Sequence, residues 1–171
     1  GKEIPGCASK NFRRKDEMLV PFERLHRAYK GRGLAAALGE INEPQERIRY
    51  TGDFIEQTTG LTDIGAYLTL LLELDAFFLN EDRHTNNLAV IRNEKTKEFR
   101  LCPIFDNGLA LLSDINDYPL DKDVYDYIRR VQAKPFDLDF DVQVEAAEEL
   151  YGMQLKLSFS RKEISKELKF V

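Results

Sequence analysis

A mainly α-helical domain with one small β-hairpin is what this sequence predicts, and three observations predict it. Two stretches open on Pro and close on Gly, as helices do. A third is so rich in Leu that only a core helix can hold it, and two short apolar runs are joined by a polar turn.

Taken in order, Pro21 opens a helix that carries Phe22, Leu25 and Tyr29 and is closed by Gly31. Gly31-Arg32-Gly33 before the apolar run 34–38 reads as a helix-to-helix turn. It lacks the preceding strand and the third glycine of a phosphate loop. Pro44 starts a second helix with Ile48 and Ile55 on one face, ending near Gly60. Thr62 or Asp63 then caps the central helix, which carries Ile64, Leu68, Leu71, Leu72, Asp75, Phe78 and Leu79 inward and delivers the chain to Asp82. The hairpin follows, with strands expected over 88–91 and 99–105 and a polar turn over 92–98.

Helices resume over 121–133, with Val124, Ile128 and Val131 inward, and over 142–151, closed by Gly152. Leu155, Leu157 and Phe159 alternate with polar residues, as an extended segment would. Ser160-Arg161-Lys162-Glu163 is a capping box for a final helix ending near Leu168, or the start of a frayed tail.

With 171 residues, 43% of them hydrophobic, one domain with a real core is expected over 1–171. The net charge of −5, with basic residues scattered among acidic ones, argues against a nucleic-acid binder. No apolar run has the length of a membrane span, and Gly1-Lys2-Glu3 opens no signal peptide. Cys7 and Cys102, with only His26 and His84 as imidazoles, do not have the spacing of a zinc site. Cys102 reads as a small buried hydrophobe, a bridge to Cys7 stays open, and a reducing cytoplasm is the expected setting. Asp114, Asp121 and Asp123 invite a calcium reading, but the Gly and Glu that such a loop requires are out of place.

The chemistry lies in Asp82-Arg83-His84-Thr85-Asn86-Asn87, followed nineteen residues later by Asp106-Asn107-Gly108. An Asp, an Asn five positions on, a hairpin and an Asp-x-Gly follow one another as in the catalytic floor of the protein-kinase fold. Moving a γ-phosphoryl group requires one carboxylate facing the acceptor hydroxyl, and an amide plus a second carboxylate holding Mg²⁺ against the triphosphate of ATP. Asp82, Asn87 and Asp106 have that chemistry, and the five-position step selects Asn87 over Asn86.

These residues, with Leu101-Cys102-Pro103-Ile104-Phe105-Asp106-Asn107-Gly108, resemble the C-terminal lobe of HipA-like kinases, including the smaller CtkA type. The Asp-Arg-His-x-x-Asn wording is also similar to the catalytic loop of phosphoinositide kinases, which share that fold. Lys134-Pro135-Phe136 resembles the Lys-Pro-Phe that follows the active-site segment in HipA-like chains. Gly6-Cys7-Ala8-Ser9-Lys10-Asn11-Phe12 resembles the strand entering their C-terminal lobe. The likeness runs from about residue 6 to 152, but only the 82–108 block is specific.

The resemblance implies a kinase-like large lobe that phosphorylates Ser or Thr with ATP and Mg. Asp82 would be the catalytic Asp, and Asn87 and Asp106 the metal ligands. His84 either takes a catalytic part, as proposed for phosphoinositide-kinase-like loops, or ties the loop by hydrogen bonds. On this reading residues 1–20 lead in from the inter-lobe connection, 82–108 hold the catalytic and metal loops, and 153–171 form a C-terminal extension or helix. Lys134-Pro135-Phe136 reads as packing and helix termination. No Gly-x-Gly-x-x-Gly or Walker sequence occurs here, so the N-terminal kinase lobe is expected to be absent and the lobe alone inactive. The acidity of 114–123 suits a basic substrate or neighbour. Two other readings stand beside the protein kinase: a non-catalytic docking module, with a partner of the antitoxin type, and a kinase acting on a small-molecule hydroxyl.

Overall fold

The computed structural model describes residues 9–156, 158 and 160–167. The architecture is mixed, with helices and a three-stranded antiparallel sheet. The elements run β1 (Glu17–Pro21), α1 (Phe22–Lys30), α2 (Leu34–Leu38), α3 (Pro44–Thr59), α4 (Ile64–Phe78), β2 (Ala89–Asn93), β3 (Phe99–Leu101), α5 (Val124–Ile128), α6 (Phe140–Tyr151) and α7 (Arg161–Glu167).

The expected hairpin is present, with Val90 opposite Leu101 and Arg92 opposite Phe99, but it has a third strand. β1 pairs with β2 so that Val20 faces Val90 and Leu19 faces Ile91, giving the order β1-β2-β3. Its residues alternate as a strand's must. Val20 and Val90 enter the main core, while Leu19, Ala89 and Ile91 join Cys102, Phe12 and Phe105 on the opposite face. The strand expected to lead into the domain thus lies at 17–21; residues 9–12 are not in a strand, and 6–8 lie outside the described residues. β3 also stops at Leu101, well short of residue 105. Pro103, just beyond, has no N–H to donate to a ladder.

Glu17, at the start of β1, receives Arg100 in a two-pronged pair, Nε to Oε1 at 2.9 Å and Nη2 to Oε2 at 2.7 Å. The hydrogen bond from Arg100, aided by the Arg14 backbone N–H, holds the Glu17 carboxyl at about 2 against an ordinary value of 4.5. The unfolded chain therefore takes up this proton at a higher pH than the folded one. Stability from the pair is fully present above the ordinary value and is lost as pH falls through about 2. Thermal midpoints measured over that acid range should fall with pH, and less steeply in Glu17→Gln.

The helices assemble around α4, which packs on α3 and α6. Leu68, Leu71 and Leu72 have no solvent exposure, each contributing about 1.5–3 kcal/mol by burial. Phe77 and Phe78, by contrast, end the helix exposed and stacked edge to face. Buried Glu73 accepts the backbone N–H groups of Gln154 at 2.8 Å and Leu155 at 2.6 Å, which fastens the chain leaving α6. Close approach of α6 to α4 depends on Gly65. A Cβ there would lie 2.6 Å from Cε1 and 2.7 Å from Cγ of Tyr151. Gly65→Ala should cost about 1–3 kcal/mol in chemical denaturation, because the ring has to be displaced from a packed core.

Gly31 and Gly60 close α1 and α3 in the left-handed region, as the Pro-to-Gly brackets predict. Asp63 precedes α4 but makes no side-chain cap hydrogen bond. The helix expected over 121–133 is only Val124–Ile128, capped by Asp123, whose carboxylate accepts Tyr125 N–H at 2.9 Å. Val124 and Ile128 are exposed and Tyr127 is the buried residue, its hydroxyl donating to the Pro119 carbonyl at 2.7 Å. A tyrosine anchor, not an apolar stripe, fixes this turn. α6 starts two residues before the expected 142, capped by Asp139. The capping box at Ser160 and Glu163 is present, with Ser160 N and Oγ both donating to the Glu163 carboxylate. The alternating segment at 155–159 has no strand among its described residues, and Leu157 and Phe159 lie outside them. Cys102 is a free, buried thiol, pushed up to about 11 by burial, and Cys7 lies outside the described residues. No described helix is long and apolar enough to cross a membrane.

Candidate phosphotransfer site

The end of α4 sets the position of the site. Leu79 turns the chain in the left-handed region, and Asn80 folds back on Asp75 through N–H to the carbonyl at 2.8 Å and Nδ2 to Oδ1 at 2.7 Å. Asp75 is buried on the last turns of the helix, and a buried carboxylate needs a partner. Arg83 supplies it, with Nε to Oδ2 at 2.7 Å and Nη2 to Oδ1 at 2.9 Å, and both side chains have essentially no solvent exposure.

The rest of the Arg83 guanidinium joins the two predicted loops. Nη1 donates to the carbonyls of Phe105 at 2.6 Å and Asn87 at 3.3 Å, and Nη2 also donates to Asn107 Oδ1 at 2.6 Å. A guanidinium has five N–H donors, and all five are used here. The turn bearing Asp82 and Asn87 and the turn bearing Asp106 are thus tied to one buried cation that is itself anchored to the core helix. Paired and fully hydrogen-bonded, this charge is held in one geometry.

Within the first turn, His84 N–H donates to the Asp82 carbonyl at 2.9 Å and Asn87 N–H to the His84 carbonyl at 2.8 Å. Asn87 Nδ2 donates to the Asp82 carbonyl at 3.0 Å, which fixes the carboxamide and leaves Oδ1 with no hydrogen bond among the described residues. Asn87 is 5% exposed, whereas Asn86 is exposed. Asp106 is exposed, has φ 60°, and its carboxylate pairs with no described residue. Asp tolerates the left-handed region better than most residues, and strain of this kind gathers at functional sites.

Asp82 is partly exposed, and Lys134 Nζ lies 3.7 Å from its Oδ1. His84 is partly buried; its Nδ1 is shut off from solvent without a hydrogen-bond partner among the described residues. The turn is clamped to α1 by Glu23, whose Oε2 accepts the Thr85 hydroxyl and the Ala35 N–H, each at 2.9 Å. Burial alone would raise the Glu23 carboxyl, but the hydrogen bonds from Ala35, Thr85 and Arg27 hold it below the ordinary value. Phe22 N–H also donates to the Leu88 carbonyl at 2.8 Å, so the sheet and α1 meet at the site.

The donor set suits a hard cation that takes oxygen ligands and keeps its waters. Asn87 presents a free amide oxygen and Asp106 a free carboxylate, while among the described residues no three of His, Cys, Asp and Glu gather to hold a metal by themselves. Mg²⁺ is a cation that takes oxygen donors of this kind.

Sequence reasoning placed Asp82, His84, Asn87 and Asp106 but gave Arg83 no role, and treated Lys134 only as part of a packing turn. Arg83 had one signal. Asp75, like Glu73, is a carboxylate within the Leu-rich core helix, and a buried charge requires a partner. Lys134 had none, because its link to Asp82 spans 52 residues of sequence. No protein-family model, curated protein or solved structure matches this chain.

Proposed function

We propose that this chain is the helical lobe of a HipA-like phosphotransferase that moves the γ-phosphoryl group of ATP to a hydroxyl, as in Ser/Thr protein kinases. The observation that carries the reading is the Arg83 clasp. It holds the turn with Asp82 and Asn87 against the turn with Asp106, and among the described residues the carboxylates of Asp82 and Asp106 and Oδ1 of Asn87 are left without a hydrogen bond. A purely structural turn would be expected to spend those groups on local hydrogen bonds.

In this mechanism Asp82 faces the acceptor hydroxyl, orients it and accepts its proton as the new P–O bond forms. Lys134 Nζ lies beside that carboxylate. Asn87 and Asp106 would hold Mg²⁺, which when bound neutralises charge on the triphosphate. The clasp sets both loops before substrate arrives, so little ordering is left for the reaction itself.

The test is the metal dependence of transfer by the full-length protein. Label transfer from γ-labelled ATP should require Mg²⁺. Asn87→Ala and Asp106→Ala should each raise the Mg²⁺ concentration for half-maximal rate by about tenfold or more, the scale on which metal sites respond to a lost partner. Transfer that ignores both substitutions would remove the assignment.

A further inference from the structure

A cavity of about 300 Å³ opens beside Asp82, lined by Ala35, Leu38, Arg47, His84, Thr85 and Lys134 among others. The mechanism above leaves it unused. Its charges are unbalanced. Arg47 is fixed by two carbonyls, Nε to Ile41 at 2.7 Å and Nη1 to Phe136 at 2.7 Å; among the described residues Nη2 makes no hydrogen bond and no carboxylate pairs with the group. Among the described residues Lys134 pairs only with Asp82, at a distance too long for a hydrogen bond. Two cations, one of them immobilised, thus meet at a concave surface, and among the described residues the only carboxylate paired with either belongs to the turn that faces the acceptor.

We propose that this cavity is an oxyanion subsite that receives a phosphate-class group carried by the acceptor. A guanidinium held by carbonyls with one edge free is prepared for such a ligand, since little side-chain ordering is left to be done on binding. The cavity lies at the small end for a ligand pocket, which suits a single anionic group more than a nucleotide. Lys134 links the two functions. It touches Asp82 on one side and lines the cavity on the other, so an anion seated there places its own hydroxyl-bearing body at the catalytic carboxylate. The acceptor assignment rests on the phosphotransfer reading; the anion site itself does not.

The experiment titrates inorganic phosphate into this chain in EDTA, followed by calorimetry and amide chemical shifts, so that no metal at Asn87 or Asp106 takes part. The expected result is saturable binding that shifts residues around Arg47 and Lys134. Lys134→Gln should weaken it by about tenfold, the effect of losing one charged contact. Arg47→Gln should weaken it similarly. Lys134→Gln touches none of the carbonyls that Arg47 holds, so it decides the matter even if Arg47→Gln fails to fold. Asp82→Asn should bind phosphate at least as tightly, since a competing anion has been removed. Metal-free ATP at equal concentration should not displace the phosphate. No saturation, unchanged affinity in Lys134→Gln, lost affinity in Asp82→Asn, or displacement by ATP would each overturn the proposal. Phosphate capture in EDTA needs neither transfer nor metal, so its failure and a failure of phosphotransfer are separate results.

Discussion

An Arg83→Met variant is expected to unfold about 3–5 kcal/mol more easily than the parent chain, read as the free energy of unfolding in urea. The size follows from what is left behind. Among the described residues Asp75 would keep only Asn80 as a partner for its buried carboxylate, and the carbonyls of Asn87 and Phe105 would lose their shared donor. The pair itself is a weak source of net stability, because desolvating two charges offsets most of their attraction. Asp75→Leu combined with Arg83→Met should therefore regain much of the lost stability. It should not regain phosphoryl transfer, since the guanidinium that ties the Asp106 turn to the Asp82 turn would be gone. A single-variant loss below about 1 kcal/mol would place Arg83 among ordinary surface ion pairs and undo the clasp.

Asp82→Asn is expected to lower phosphoryl transfer by the full-length protein by a factor of about 10²–10⁴, the usual share of a positioned proton acceptor. Asparagine keeps the size of the side chain, and the backbone carbonyl of residue 82 continues to receive the His84 and Asn87 donors. The turn should keep its shape, and urea stability should change by less than about 0.5 kcal/mol, as for other partly exposed positions. Activity and stability separate in this variant, whereas in Arg83→Met they fall together. That contrast distinguishes a group that acts on substrate from one that holds such groups in place.

The sequence carried the parts of the fold that are written locally. Pro21 to Gly31 and Pro44 to Gly60 mark two helices because a helix start tolerates a missing N–H and a helix end favours the left-handed region. The central helix was legible from its leucines, and the hairpin from its two apolar runs around a polar turn. β1 was not legible from its short run of Met18, Leu19 and Val20. A strand of that length is defined by its partner, and the partner lies about 70 residues away at 89–93. The helix expected over 121–133 failed for the opposite reason. Val124, Ile128 and Val131 have helical spacing, but the chain is anchored by Tyr127, and the spacing has no core to face.

The site divides along the same line. Asp82, Asn87 and Asp106 are legible as candidates because their order along the chain matches the proposed chemistry. Arg83, Arg47 and Lys134 act through contacts with residues distant in sequence: Phe105 for Arg83, Phe136 for Arg47 and Asp82 for Lys134. No periodicity records such contacts. What the fold adds to the motif is thus its support: one buried cation that holds two loops together, and Lys134 beside the Asp82 carboxylate in a cavity that Arg47 also lines.

The most direct test of the account is the initial rate at which the full-length protein, in Mg²⁺, moves label from γ-labelled ATP to a hydroxyl, compared with the same rate in Asp82→Asn. Transfer is expected in the parent, with a loss of about 10²–10⁴ in the variant. Equal rates in the two proteins would contradict it.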